Sequence, residues 1–114
     1  MSTEAVKVLG QAMPSINTTT AIYTCAATGG AAISSVLIAN LNSGGGAANV
    51  RVSIAVGGAA DSYPSSQYIL NALLTINNAI EIADGISLAD TDVVRCWSDT
   101  ANISFTVSGV EVTL

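Results

Sequence analysis

Histidine is absent from this chain of 114 residues, which has eight acidic and three basic side chains. Without histidine, the chain lacks the commonest general base and the usual partner of a nucleophilic serine or cysteine. A zinc site is disfavoured, because Cys25 and Cys96 lie far apart in sequence and supply half of a structural ligand set at most. The composition therefore predicts a protein that is not an enzyme and that holds no cofactor and no metal.

Basic residues are scarce: they are Lys7, Arg51 and Arg95, and the formal net charge is −5. Binding to nucleic acid depends on lysine and arginine displacing counterions from phosphates, so three scattered cations argue against nucleic acid or an anionic membrane as a partner. No apolar run reaches the ~20 residues of a membrane-spanning helix, and the first residues show no secretory signal. We therefore expect synthesis in the cytoplasm, where Cys25 and Cys96 stay reduced and buried, with a disulfide between them as the alternative.

Charged residues make up 10% of the chain, against about a quarter in an ordinary soluble domain. Hydrophobic residues make up 50%, which is enough for the core of a single domain. Surfaces that are buried in obligate assemblies are depleted in charge in this way. The composition favours a homo-oligomer or a larger assembly; the alternative is a small neutral monomer that its net negative charge keeps soluble.

Turn-forming residues divide the chain into short runs that are rich in Val, Ile, Thr and Tyr. Such residues suit a pleated, half-buried surface, and turn signals at roughly 8–12-residue spacing are typical of sandwiches. We therefore predict an all-β fold, a single antiparallel β-sandwich or jelly-roll-like domain. A hairpin connection is the plain interpretation of the glycine run 44–46, which lacks the Lys and Ser/Thr of a phosphate loop.

Strict alternation marks the clearest strands. In the segment 50–56 the valines and Ile54 share one face, and Arg51 shares the other face with Ser53 and Ala55. The segment 92–98 alternates in the same way. Ile103, Phe105 and Val107 also alternate with polar residues, but the apolar phase slips after Gly109, which predicts a bulge or tight turn there.

Other predicted strands are 21–26, 33–40 and the region 67–82. The run 33–41 is apolar on both faces, which fits a central strand covered on both sides or a strand whose outer face meets another subunit. Helix is the rival within 72–82, because Leu73, Ile76 and Ile80 have helical spacing. We favour strand, since Asn77-Asn78 is a good hairpin turn and asparagine is a poor residue inside a helix.

Residues 1–14 differ from the rest and are predicted to form an N-terminal arm, followed by a sandwich domain over 15–114. The arm contains a short β-prone run and ends at Pro14, and we expect it to pack along the domain or along a neighbour. We also expect an arginine to make a specific ion pair or interface contact, since its forked guanidinium suits buried carboxylates. The interface candidates are Val6, Val8, Leu9, Arg51, Arg95 and Trp97.

Two further sets of residues have a functional and a plain interpretation. Asp84, Asp90, Asp92 and Asp99 carry the oxygens that Ca²⁺ prefers, but their spacing matches no loop motif, so we interpret them as solvated turn residues. Three aromatic residues could stack on a sugar ring, although packing in the core or at its rim is the commoner role. They are Tyr63, Tyr68 and Trp97.

Several segments, in this order and spacing, carry a resemblance to a known family. They are Lys7-Val8-Leu9-Gly10-Gln11, the Thr-rich stretch before Ile22-Tyr23-Thr24, Val36-Leu37-Ile38-Ala39-Asn40, Val50–Val56, Gln67-Tyr68-Ile69, Gly85–Val94 and Ser98–Phe105. In these the chain resembles small β-sandwich virion proteins of tailed bacteriophages, cyanophages included.

The resemblance implies a structural component of a virion with no catalytic residues. Such sandwiches act as decoration or cement proteins on the exterior of the capsid, where they are often trimers that bridge subunits of the major capsid protein, and others belong to the neck or tail. We therefore expect a homo-oligomer, most simply a trimer, at the capsid exterior. A carbohydrate-binding module that contacts the host surface is the alternative of a different class.

Overall fold

A computed structural model describes residues 3–42 and 44–113 of the chain. These residues form nine β-strands and one short 3₁₀ turn, Val56–Gly58. The strands are β1 (Thr3–Ala12), β2 (Thr20–Thr24), β3 (Gly29–Asn40), β4 (Ala48–Ala55), β5 (Tyr68–Leu74), β6 (Ala79–Ile82), β7 (Ile86–Ala89), β8 (Val93–Ser98) and β9 (Ile103–Thr113). No helix in this part of the chain has the length and apolarity to span a membrane.

The strands build two antiparallel sheets. The first sheet has the order β1-β9-β3-β6, with β7 also paired to β3, and the second has the order β2-β8-β4-β5. Between consecutive described strands, the chain crosses to the other sheet at every connection except β4–β5 and β6–β7. This winding is that of a double-sheet jelly roll. The prediction of an all-β antiparallel sandwich is therefore confirmed.

The core lies between the two sheets and follows the two-residue period of the strands. In β9, Ile103, Phe105 and Val107 are fully buried, and the polar residues between them are half-buried on the opposite face. In β8, Val94, Cys96 and Ser98 point inward in the same way, as the alternation predicts. Sheets of a sandwich pack about 10 Å apart, and buried residues of both sheets form one core cluster between them.

β4 is confirmed as a strand, but its burial departs from the prediction at its end. Val50 and Val52 are fully buried, Ile54 is half-buried against the core, and Val56 lies beyond the strand and is 75% exposed. On the opposite face, Ser53 and Ala55 are buried as well. The outer face of this sheet is therefore covered at Ser53 and Ala55, and the cover there is the connection between β4 and β5.

Near Gly109, bulges lie in both strands that pair with β9. β9 runs straight through Gly109, so the predicted turn at this residue is wrong. The irregularities lie in both neighbouring strands instead, between Ile33 and Ser35 in β3 and between Val8 and Gly10 in β1. The bulge in β3 aligns Ile33 with the buried Val36 and Ile38, a set that simple alternation does not predict.

Two predicted hairpins are crossings between sheets. The turn at Asn77-Asn78 leads from β5, which pairs with β4, to β6, which pairs with β3. Likewise, the connection that contains residues 44–46 leads from β3 in the first sheet to β4 in the second; its Ser43 lies outside the described residues. The strand assignment within 67–82 is confirmed for β5 and β6, and the helical interpretation is wrong. Local turn signals predict where the chain reverses, but they do not predict which sheet the next strand joins.

The predicted N-terminal arm is a strand over most of its length. Thr3–Ala12 pairs with β9 from end to end and forms the edge of the first sheet, so this part of the arm packs along its own domain. Its register places Val6 opposite Val110 and Val8 opposite Ser108, while Leu9 sits in the bulge and packs on the core. Met1 and Ser2 lie outside the described residues.

Gly109 is required by the close approach of β3. A side-chain Cβ at this position would overlap the carbonyl oxygen of Ala32 and lie 3.0 Å from the Cα of Ile33. We predict that Gly109→Ala lowers the free energy of unfolding by about 1–3 kcal/mol, because the added atom forces apart two hydrogen-bonded strands. Urea denaturation measures the change.

Gly46→Ala is the matched control, because a Cβ there meets nothing within 4 Å. It should leave the free energy of unfolding within about 1 kcal/mol of the wild type, on the stabilising side. Equal midpoints for the two variants would show that Gly109 is not constrained as described.

Both cysteines are free and buried in the core, as predicted. Burial raises the pKa of both thiols, that of Cys96 to about 12. We therefore predict that a thiol reagent such as DTNB labels neither cysteine in the folded protein at pH 8 and labels both after denaturation. Rapid labelling of the folded chain would contradict the buried placement.

Candidate functional site

The first candidate surface is the outer face of the first sheet, which we call the open face. Val6 is 85% exposed and Val8 is 53% exposed, and Leu37 of the central strand β3 is 43% exposed. Residues directly opposite in register share a face of the sheet. The open face consists of the outward residues of β1, β9 and β3, namely Val6, Val8, Gln11, Ala32, Ser35, Leu37, Ala39, Ser104, Thr106, Ser108 and Val110.

The open face carries no charge across its centre. Val6, Val110 and Ala32 form one row across three strands, and Val8 and Ser108 continue the next row. Acidic residues occur only at its margins, where Glu4 pairs with Val112 and Glu81 pairs with Leu37. With about 3.4 Å per residue and about 4.8 Å between strands, three strands as long as β9 cover roughly 540 Å². That area is about two thirds of the ~800 Å² that one partner contributes to a standard protein interface.

A shallow depression of about 350 Å³ lies at one end of the open face, between β1 and β9. Gln11 and Thr106 contribute to it, and Gln11 Nε2 lies 3.5 Å from Thr106 Oγ1. Its lining contains no ionisable side chain. The depression is a concave region on an otherwise flat surface, and it suits a small neutral group of a neighbouring molecule.

A polar group at the rim of the sandwich fixes β1 to both sheets. Lys7 Nζ lies 2.9 Å from Glu111 Oε1, and the Tyr23 hydroxyl donates a hydrogen bond of 2.5 Å to Glu111 Oε2. The hydrogen bond from Tyr23, followed by that from Lys7, lowers the pKa of the Glu111 carboxyl. Burial and the neighbouring carboxylate raise the pKa of the Tyr23 hydroxyl above its ordinary value. This group joins β1, β2 and β9, so it holds the edge strand that carries Val6 and Val8.

The second candidate surface lies on the opposite outer face of the sandwich. Arg51 of β4 is directly opposite Trp97 of β8 on one side and Asn71 of β5 on the other. Its guanidinium carbon lies 3.8 Å from the centre of the Trp97 ring and 3.5 Å from the centre of the Tyr63 ring. The Tyr63 hydroxyl accepts a hydrogen bond of 2.8 Å from Asn71 Nδ2. We call these four residues the arginine cluster.

Tyr63 reaches Arg51 because the connection between β4 and β5 folds back over the sheet. Arg95 Nη1 donates a hydrogen bond of 2.7 Å to the carbonyl oxygen of Ala59, and Tyr68 donates one of 2.7 Å to Asp61. The Tyr63 and Tyr68 rings meet edge to face at 4.9 Å. These contacts place the connection over Ser53, which explains why that outward residue is buried.

The guanidinium of Arg51 has an unusual set of neighbours. Its Nε is buried and has no hydrogen-bond partner among the described residues. Neither terminal nitrogen makes a hydrogen bond or an ion pair within this part of the chain, and neither is fully buried. Both rings lie within 4 Å of the guanidinium carbon and Nε is buried, so the terminal N–H groups are the part left open to a ligand.

The acidic residues form no metal site: the described residues hold no group of three or more potential ligands. Asp92 is not a solvated turn residue, because it is buried and its carboxylate accepts hydrogen bonds from the backbone N–H groups of Gly57 and Ala89. Asp99 accepts hydrogen bonds from the backbone and the side chain of Asn49. Asp84 and Asp90 are exposed, as predicted.

The predicted interface candidates fall into separate groups. Val6 and Val8 lie on the open face, and Leu9 lies in the bulge against the core. Arg51 and Trp97 meet in the arginine cluster, and Arg95 holds the connection beside it. Within the described residues, the expected ion pair of an arginine is absent, and the one ion pair belongs to Lys7.

Sequence reasoning missed the outward half of β9 and the role of Asn71. The sequence did carry a signal for Val110, because this apolar residue lies on the strand face opposite to that of Ile103, Phe105 and Val107. The contact between Asn71 and Tyr63 had no such signal, because it depends on the path of a long connection.

No protein-family model matches the chain, and no curated protein matches it. Among solved structures, the chain is similar to one described as "Structure of infectious bursal disease virus Gx strain", with 9% sequence identity and a TM-score of 0.36. The similarity covers 100% of this chain and 32% of that chain, so this chain spans about a third of its length.

The polar group at the rim gives a test of how β1 is held. We predict that Tyr23→Phe lowers the urea midpoint at pH 7. The difference in midpoint between the variant and the wild type should become smaller at pH values below 4.5, the ordinary pKa of Glu. The pKa of Glu111 is depressed in the folded state, so its contribution is present above the unfolded pKa and is lost as the pH falls through the folded one. Because folding raises the pKa of Tyr23, the wild type should also lose stability as the pH rises above 10.0, the ordinary pKa of tyrosine.

Tyr68→Phe is the matched control, because it removes a tyrosine–carboxylate hydrogen bond that lies away from β1. Limited proteolysis of the N-terminal strand should be faster in Tyr23→Phe than in this control. Equal cleavage would show that the rim group does not fix β1.

Proposed function

We propose that the chain is a non-enzymatic structural protein of a virion, and specifically a decoration protein that stabilises the exterior of a capsid by bridging its major subunits. The observation that carries the proposal is the open face, a sheet surface of roughly 540 Å² that is uncharged at its centre and has exposed valines at its edge. A surface of this kind favours contact with another protein. In this proposal, the neighbour is a second copy of the chain or a subunit of the shell.

The chemistry of the open face supports burial in an assembly. Removing a charge from water costs several kcal/mol unless it is paired, whereas valine, alanine and short hydroxyl side chains are cheap to desolvate. Exposed apolar patches of several hundred Å² on a soluble domain mark sites of interaction. Val6 and Val8 also lie on an edge strand, whose outer N–H and C=O groups pair with no other strand of the described residues and can pair with another chain.

The fold adds support by analogy alone. Double-sheet jelly rolls occur in viral capsid proteins, in lectins and in cupins, so the fold admits a virion role without selecting it. The sequence segments that resemble small phage virion proteins include Lys7–Gln11 in β1 and Val36–Asn40 in β3. Both strands contribute to the open face.

A decoration protein strengthens a shell by adding contacts between its subunits. Each contact across a subunit boundary buries surface, and an oligomer that touches several subunits makes its second contact at a high effective concentration. Such a protein needs rigidity and a complementary surface rather than a catalytic group. A jelly-roll body with one uncharged outer face provides both features.

The number of copies per particle tests the proposal. Quantitative mass spectrometry of purified particles should find the chain at a stoichiometry close to that of the major shell protein. A few copies per particle would overturn the decoration role and indicate the neck or tail. Absence from the particle would overturn the virion role altogether.

A charge placed in the open face tests its role in association. We predict that the wild-type chain forms a homo-oligomer, a trimer by the resemblance, and that Val8→Asp weakens association at least 100-fold, because an unpaired carboxylate is buried in each contact. Multi-angle light scattering over a concentration series measures the shift to monomer.

Leu73→Asp is the matched control, since Leu73 is 63% exposed on a strand of the second sheet. This variant should keep the oligomer, and circular dichroism should show that both variants fold. A wild-type chain that stays monomeric at about 100 μM would contradict self-association through the open face.

A further inference from the structure

We propose that the arginine cluster is a binding site for a sugar that carries a carboxylate, such as a uronic acid. The site consists of the open edge of the Arg51 guanidinium, the hydroxyl of Tyr63 and the amide of Asn71. It lies on the second sheet, away from the open face, so a ligand here and a neighbour there can be bound at once. This inference goes beyond the proposed structural role and does not depend on it.

The two aromatic rings restrict how a ligand can approach Arg51. The centres of the Tyr63 and Trp97 rings lie 3.5 and 3.8 Å from the guanidinium carbon. The remaining terminal N–H groups lie in the plane of the guanidinium, in the fork geometry that pairs with both oxygens of a carboxylate. Because the rings already hold this fork in place, little conformational entropy is lost when it binds.

The positive charge of Arg51 is not neutralised within the described residues. All eight acidic side chains lie in this part of the chain, yet none is within 4.0 Å of the guanidinium nitrogens. Asp61 is engaged by Tyr68 and Thr19, while Asp99 is engaged by Asn49 and Thr100. A half-buried cation without a counterion favours an anion from outside the chain.

The neighbouring groups favour a sugar over an acidic peptide. The Tyr63 hydroxyl accepts a hydrogen bond from Asn71 Nδ2, so its own proton is available to a ligand oxygen. The carbonyl oxygen of Asn71 makes no hydrogen bond in the described residues and can accept one from a sugar hydroxyl. Tyr63 is 42% exposed, which leaves aromatic carbon for the C–H groups of a sugar ring.

Trp97 reports on the site directly, because it is the only tryptophan of the chain and lies against Arg51. The full chain is titrated with galacturonate, with galactose and with acetate while its tryptophan fluorescence is recorded. We expect saturable quenching by galacturonate, with a dissociation constant on the order of 1 mM, and at least tenfold weaker binding of galactose and of acetate.

Three variants separate binding from folding. Tyr63→Phe keeps the ring on Arg51 and removes only the hydroxyl, so it should weaken galacturonate binding about fivefold to tenfold. Arg51→Gln should abolish binding at 10 mM ligand. Lys7→Gln removes the same charge from the first sheet and should bind within twofold of the wild type; circular dichroism confirms that each variant folds.

Three results would overturn the inference. Binding of galactose as tight as that of galacturonate would show that Arg51 recognises no carboxylate. Acetate, or a tri-glutamate peptide, binding as tightly as galacturonate would show that the site does not recognise a sugar. No saturable response to galacturonate at 50 mM, with the fluorescence of Tyr63→Phe equally unaffected, would show that the cluster serves only to hold the β4–β5 connection.

Discussion

The packing of the two inner faces is the constraint on which the rest of the structure depends. Each strand has side chains on two faces, and burial of the set around Phe105 and Val36 commits one face of each sheet to the core. The other face then has to be solvated, covered by the chain itself or covered by a neighbour. On one sheet the chain itself covers part of the outer face, where the β4–β5 connection lies over Ser53. On the other sheet it leaves valine and small side chains uncovered.

This division assigns the two surfaces different chemistry. The open face is broad, nearly flat and free of charge at its centre, which suits an extended contact with a protein surface. The arginine cluster is compact and has one cation to which two rings restrict the approach, which suits a small anionic ligand. The rim group of Lys7, Tyr23 and Glu111 links the two sheets and fixes the edge of the open face. A structural role and a ligand site can therefore coexist in one small domain.

The sequence predicts the fold class and most strands because alternation is a local property. The inward set of β8 and of the first half of β9 follows from a period of two, and so do β4 and the strand nature of β5. The bulge at β3 breaks that period, and its effect on Ile33 depends on pairing with β9. The same limit applies to Asn77-Asn78 and to Tyr63, whose destinations depend on packing between segments far apart in the chain. Composition identified an uncharged surface but did not place it.

The central claim is that the open face is covered when the chain performs its role. Hydrogen–deuterium exchange, measured on the free chain and on the chain bound to purified particles, tests it most directly. The account predicts slower exchange on binding in β1, which is an edge strand among the described residues, and unchanged exchange in the β4–β5 connection. Unchanged exchange in β1, or protection confined to the β4–β5 connection, would contradict the account.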